Sequence, residues 1–209
     1  MTGRCLRPDA AYKRRIITTR SSMADFVAAR LNMVESQVRT QDVTDVRIHD
    51  AMRVIPREEL LPSGKGHLAY ADIEAEYAPG RWLLKPRDVA KLLQALRPMP
   101  GERAMALSAP YAAAVMRELG LQVVEADAAA GPQGEGFDIV VCEGAVHRAP
   151  ETWSRALALH GRLGVVERDG PVGKALLYER SASGTGRREA FDSFPPVLAG
   201  FEPAAGFAF

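Results

Sequence analysis

Apolar positions along the chain follow a helical period in its first half and a strand-like pattern in its second. Val27, Leu31, Val34 and Val38 recur at helical spacing, behind a Ser22–Asp25 pair spaced like a capping box. Ile48, Met52 and Ile55 form a second helical stripe, which Asp42, Thr44 or Asp45 can cap and Pro56 stops. Residues 62–86 carry no sustained period and read as irregular structure. Val89, Leu92, Leu93 and Leu96 then mark a third helix. From residue 99 short continuous apolar runs take over, at 104–107, 121–126, 137–145 and 162–167. Runs of that length bounded by turn residues predict buried strands. Between them, "PYAAAVMRELG" and "PETWSRALALHG" read as helices, each with a proline near its start and a glycine at its end. "KALLYERSA" and "REAFDSF" flank "SGTG", a hairpin signal, and "AAGFAF" reads as a terminal strand. Strand–helix alternation closed by a hairpin predicts an α/β fold, with a mostly parallel sheet and an antiparallel edge.

Charge divides the chain differently. The 209 residues are 47% hydrophobic and 25% charged, with a net charge of +1. No global field therefore recruits nucleic acid or membrane. Residues 1–22, however, hold six cations against Asp9 alone, which leaves a mildly acidic remainder. That basic tail reads as a disordered extension; a nucleic-acid arm is the less favoured reading. Cys5 and Cys142 are too few for a disulfide framework, and no apolar run reaches membrane-spanning length, so the expected setting is cytoplasmic. His49, His67, His147 and His160 lack metal-ligand spacing. Cys142, inside an apolar strand, reads as an inert core thiol.

The N-terminal residues "MVESQVRTQDVTDVRIHDAMRVIPREELLP", then "LAYAD" and "KPRDVAKLLQAL", resemble the protein-L-isoaspartate O-methyltransferase family. So do "FDIVVCEGA", "GRLGVVE" and "PPVLAGFEPAAGFAF", and the match runs in order from Met23 to Phe209. The resemblance implies a doubly wound class I methyltransferase-like sheet that binds S-adenosylmethionine. It implies methyl transfer to the α-carboxylate of isoaspartyl residues, with a helical lobe at 23–98 and the α/β core at 99–209 in one globular unit, 23–209. Catalysis in such a family is mainly positioning, because a carboxylate is already the nucleophile.

Three departures from the family pattern bear on that activity. Ala106, Ser108 and Pro110 replace the glycines of a G-x-G-x-G cofactor loop, and Pro110 also removes an N–H donor. Only "AAAGPQGEG" separates "VVEAD" from "FDIVV", too little for a further βα unit, so one βα unit is expected to be missing. Leu83 and Leu84 stand where a T-I-S-x-P-like stretch would supply substrate hydroxyls, and Leu84 falls at the serine. Ser108, Tyr111, Glu125 and Glu143 remain as a remnant cofactor pocket. Glu143 reads either as a pocket residue or as a solvated carboxylate. Glu125 and Asp127 read either as ribose ligands or as charges guarding a new sheet edge. The expectation is a catalytically inactive, methyltransferase-like interaction or regulatory module with no cofactor. Its partner would be a protein or a second copy, meeting the edge strand Leu121–Ala126. The alternative is a methyltransferase that still uses S-adenosylmethionine through a remodelled loop.

Overall fold

A computed structural model describes residues 25–203. The basic tail, Ser22 of the expected capping box and the expected terminal strand at 204–209 lie outside the described residues.

Helix α1 covers residues 25–33 and runs into a π-helical turn, Val34–Val38. Val34 and Val38 are buried as the stripe predicts, but Val27 and Leu31 face solvent. Arg30 takes the inner position instead, because Tyr70 and Glu58 accept its hydrogen bonds at 2.9 and 3.0 Å. Helix α2, Val46–Val54, is capped by Asp45, whose carboxylate accepts from the Arg47 N–H. The stretch expected to be irregular contains a hairpin, β1 (Ala75–Ala78) and β2 (Arg81–Leu83), turning at Pro79–Gly80. Helix α3, Pro86–Leu96, buries Val89, Leu92, Leu93 and Leu96.

The main sheet contains β3 (Arg103–Leu107), β4 (Gln122–Ala126), β5 (Phe137–Val146), β6 (Leu157–Asp169), β7 (Val172–Ser181) and β8 (Gly184–Asp192). Its order is β4-β3-β5-β6-β7-β8, parallel through β6 and antiparallel beyond. Strand β4 is therefore a sheet edge, and only residues 127–136 carry the chain from it across β3 to β5. Ala128 from that crossover is buried against Met105, Leu107 and Phe137.

Period two sorts the core. Ala104, Ala106, Ile139 and Val141 face α1–α4 (α4 being Pro110–Glu118), while Met105, Leu107, Val140 and Cys142 face the other way. Helix α3 lies close on β6 because residue 164 is glycine: a Cβ there would meet Leu96 at 2.9 Å and Leu92 at 3.0 Å. The opposite face is covered by α5 (Glu151–Arg155), through Trp153, and by the C-terminal segment with Leu198 and Phe201. Helices thus cover both faces, as a doubly wound fold requires.

Helix α5 is one turn long and does not reach Gly161. Leu157 already pairs with Phe137, so the sheet claims the apolar run "LALHG" for β6. The last hairpin also turns two residues before the centre of "SGTG". Ser181 pairs with Gly184, leaving Ala182 and Ser183 at its tip.

Candidate functional site

In α/β sheets ligands bind beyond the carboxyl ends of the strands, where the strand order reverses. Here that point lies above β3, β4 and β5, and the turn Ser108–Pro110 opens α4 beside it. Ala109 is the N-cap residue, without a side-chain hydrogen bond, and Pro110 occupies the first turn. Ser108 holds φ at +45°, a conformation that glycine adopts freely and other residues reach at a cost of roughly 1–2 kcal/mol. Hydrogen bonds hold it there. Its N–H donates to Ala126 O at 2.8 Å, and its Oγ accepts from Ala128 N at 2.9 Å and donates to Asp127 Oδ2 at 3.3 Å. Ser108 thus keeps a backbone conformation that glycine favours and turns its side chain toward the crossover.

Glu143 continues the Val141 face of β5, toward α4. It is completely buried. Its carboxylate accepts from Ala112 N at 2.5 Å, in the first turn of α4, and from Leu84 N at 3.3 Å, at the exit from β2. Burial pushes its pKa up to about 7, while the Arg57 charge and the backbone donors pull it down. The expectation of a solvated carboxylate is thus overturned: an anion at a helix N-terminus is favourable, and here a side chain supplies it.

Arg57 and Tyr111 complete this interior. Both are fully buried, and the guanidinium lies 4.5 Å from the Tyr111 ring centroid. Arg57 donates to Ala69 O at 2.8 Å and to Leu84 O at 2.5 Å. Its Nη1 and the Tyr111 hydroxyl have no hydrogen-bond partner among the described residues. Burial lowers the Arg57 pKa and raises that of Tyr111. Leu83 and Leu84 are completely buried, and Trp82 packs against the opposite core.

Over this floor lies a polar strap. Arg81, at the start of β2, grips Asp127 with Nε at 2.7 Å and Nη2 at 2.8 Å, and its Nη1 donates to Gly80 O and Ala199 O at 3.2 Å. The Arg81 hydrogen bonds hold the Asp127 carboxyl down at about 2. The C-terminal segment runs alongside, Leu198 N donating to Ala145 O at 2.8 Å. It passes close enough that a Cβ on Gly144 would meet Leu198 at 2.5 Å.

The structure therefore brings Tyr111 and Glu143 together around Arg57, while Ser108 bonds Asp127 at the crossover. Glu125 is elsewhere. Its register partner is Ala106, which points it to the α4 face, where Arg117 binds it at 2.6 Å on the exposed surface. Counting Glu125 into the pocket is corrected by that parity. Arg57, Tyr77 and Arg81 were not singled out from the sequence. The Pro79–Gly80 turn signal would have placed Tyr77 and Arg81 on a hairpin, and an arginine inside the apolar run "VIPREELL" was the clue to Arg57. Cys142 is fully buried and its thiol is pushed up by burial, as an inert core thiol should be. Among the described residues no three His, Cys, Asp or Glu side chains gather as a metal site. No helix there is long and apolar enough to cross a membrane.

No protein-family model matches the chain. A protein-L-isoaspartate O-methyltransferase of Methylorubrum extorquens is 31% identical to it, over 89% of the chain and 96% of that relative. The chain belongs to the protein-L-isoaspartate O-methyltransferase family. A family member from Methylorubrum populi is also 31% identical, over 83% of the chain and 96% of its own length. Two solved structures share the fold. One protein-L-isoaspartate O-methyltransferase aligns with TM-score 0.63 at 20% identity, covering 78% of this chain and 63% of its own. A Plasmodium falciparum protein described as such a methyltransferase, solved with S-adenosyl-L-homocysteine, aligns with TM-score 0.64 at 15% identity, covering 81% and 97%. Within this family fold, the turn into α4 is held by Ser108, and Glu143 accepts the Ala112 N–H in the first turn of that helix.

Proposed function

We propose that this family member has closed the family's cofactor cradle with its own side chains and acts as a binding or regulatory protein rather than as a methyltransferase. The observation that carries the reading is Glu143. Its buried carboxylate already takes the Ala112 N–H at 2.5 Å, the helix-terminal donor that would otherwise face a cofactor. S-adenosylmethionine does not fit these residues as they stand. Its own carboxylate would meet Glu143, and the Arg81–Asp127 pair spans the space beside Ser108. The aliphatic Leu84 at the family's serine position offers a substrate carboxylate no hydroxyl. With transfer lost, function falls to surfaces. The edge strand β4, with Val124 45% exposed, is the place where a protein partner or a second copy would add a strand in the cytoplasm.

Calorimetric titration with S-adenosylmethionine and S-adenosylhomocysteine tests the reading. The expected result is no binding heat, and no thermal shift at ligand concentrations of about 1 mM. Heat with a micromolar dissociation constant would sink it. It would restore an active methyltransferase acting on isoaspartyl or other carboxylates, the reading that the relatives' names and the S-adenosyl-L-homocysteine complex favour.

A further inference from the structure

Between the C-terminal end of α3 and the β7–β8 hairpin lies a cleft of about 220 Å³, far from Glu143 in the fold. Ala95 and Leu177 give it an apolar floor, and Arg97, Arg162 and Arg188 stand around it with Glu179. Register sets the aim of these groups. Arg188 pairs with Leu177 and shares its face, whereas Arg187 points to the other face, 3.6 Å from Glu167. Gly186 adds no bulk, since a Cβ there would meet nothing within 4 Å.

Arg162 is held in place. Its Nε donates to Leu96 O at 2.9 Å and its Nη2 to both Glu102 oxygens at 2.9 Å, leaving Nη1 without a partner among the described residues. Such pinning removes the ordering cost that a free arginine would meet on binding an anion. The side chains of Arg97 and Arg188 make no hydrogen bond or ion pair among the described residues. Arg97 is also strained. It sits at φ +51° just past α3, a position that glycine usually fills. A cation is favoured at this helix C-terminus, and here its side chain lines the cleft.

We propose that this cleft binds a small phosphate monoester that carries a hydroxyl group. The phosphate lies among Arg97, Arg188 and the Arg162 Nη1, the carbon skeleton rests on Leu177 and Ala95, and the hydroxyl donates to Glu179. The cleft is smaller than the roughly 300 Å³ at which pockets for drug-sized ligands begin, so it suits a small ester better than a whole dinucleotide or S-adenosylmethionine. The acidic body around it disfavours a nucleic-acid backbone.

The test is NMR titration of the isotope-labelled chain at constant ionic strength with glycerol 1-phosphate, inorganic phosphate and a short DNA duplex. Glycerol 1-phosphate should give saturable shifts at the amides of Leu177, Gly186 and Arg188, with a dissociation constant of about 1 mM or tighter. Arg188→Ala and Arg97→Gly should each weaken it by about tenfold, the charge-assisted contact being lost. Arg97→Gly keeps the left-handed backbone, so it should fold at least as well as the parent while binding less. Shifts that do not saturate, or equal affinity in both variants, would overturn the proposal. Equal binding of inorganic phosphate would replace the ester with a free-phosphate site, and tighter binding of the duplex would replace it with nucleic acid.

Discussion

Glu143 carries the strongest single-residue consequence, because a completely buried carboxylate must lose its hydration whenever it ionises. The groups facing it from neighbouring elements are Arg57, Tyr77 and Tyr111, and burial still dominates, raising its pKa from 4.5 to about 7. The sign follows from proton counting. Between those two values the folded state holds a proton that the unfolded state has released, so stability falls as pH rises and then levels off. The loss is on the order of 3 kcal/mol. Glu143→Gln cannot ionise and should lack this fall. Urea midpoints for both proteins from pH 4 to pH 8 check it; parallel curves would show that Glu143 ionises as freely as a surface carboxylate. Tyr111 gives an independent case. Its buried hydroxyl has no partner among the described residues, so Tyr111→Phe removes a desolvated group and keeps the ring under Arg57. The variant should melt at or above the parent, gaining up to about 1 kcal/mol. A loss instead would reveal a hidden partner, the natural one being a water shared with the equally unpartnered Arg57 Nη1.

At the scale of elements, the β1–β2 hairpin explains why the rim of the sheet is closed. Its Arg81 reaches Asp127 beyond β4 and Ala199 in the C-terminal segment, joining three pieces distant in sequence. Arg81→Ala should cost about 1 kcal/mol, a value kept low because half of the Asp127 side chain is exposed. Asp127 titrates at about 2 in the folded state against an ordinary 3.8. The pair's contribution is therefore complete above the ordinary value and vanishes as pH falls through about 2. Denaturation of parent and variant at pH 6 and at about pH 1 should differ at the first pH and nearly coincide at the second. A constant gap would mean that Arg81 acts by packing alone. The buried strands β3 and β5 were legible in the sequence because burial on both faces writes itself as an unbroken apolar run. The hairpin was not, since β1 and β2 are short and mostly half-buried, and they alternate too briefly to show a period. Helix α5 was overextended for the opposite reason: "ALALHG" is apolar enough for either state, and only its partner Phe137 decides it. At the candidate site, the losses at Ser108, Pro110 and Leu84 could be read locally. What replaced them could not, because Glu143, Ala112 and Leu84 meet only in the folded chain.

For the whole molecule, the decisive feature is that one hydrophobic cluster joins the helical lobe to the sheet. Met33, Ile48 and Met52 from the helical lobe belong to the same buried cluster as Ala106, Val141 and Leu177 from the sheet. Arg57 of the lobe sits against Tyr111 of α4, and the Leu84 N–H ties the lobe to Glu143 on β5. Removing the lobe would expose that face and strand Glu143, so neither part keeps a complete core by itself. Unfolding should then be a single cooperative transition. Two probes see the two regions separately. With Trp82, which belongs to the lobe, replaced by phenylalanine, tryptophan fluorescence follows Trp153 in the cluster on the far face of the sheet. Far-UV circular dichroism follows the helices, most of which lie in the lobe and on its side of the sheet. The two melting curves should superimpose, with the calorimetric and van't Hoff enthalpies equal. A dichroism transition preceding the fluorescence change would mean that the lobe melts independently. The rim could then open without unfolding the sheet, and the closed cradle at Glu143 would be a gate rather than a permanent plug.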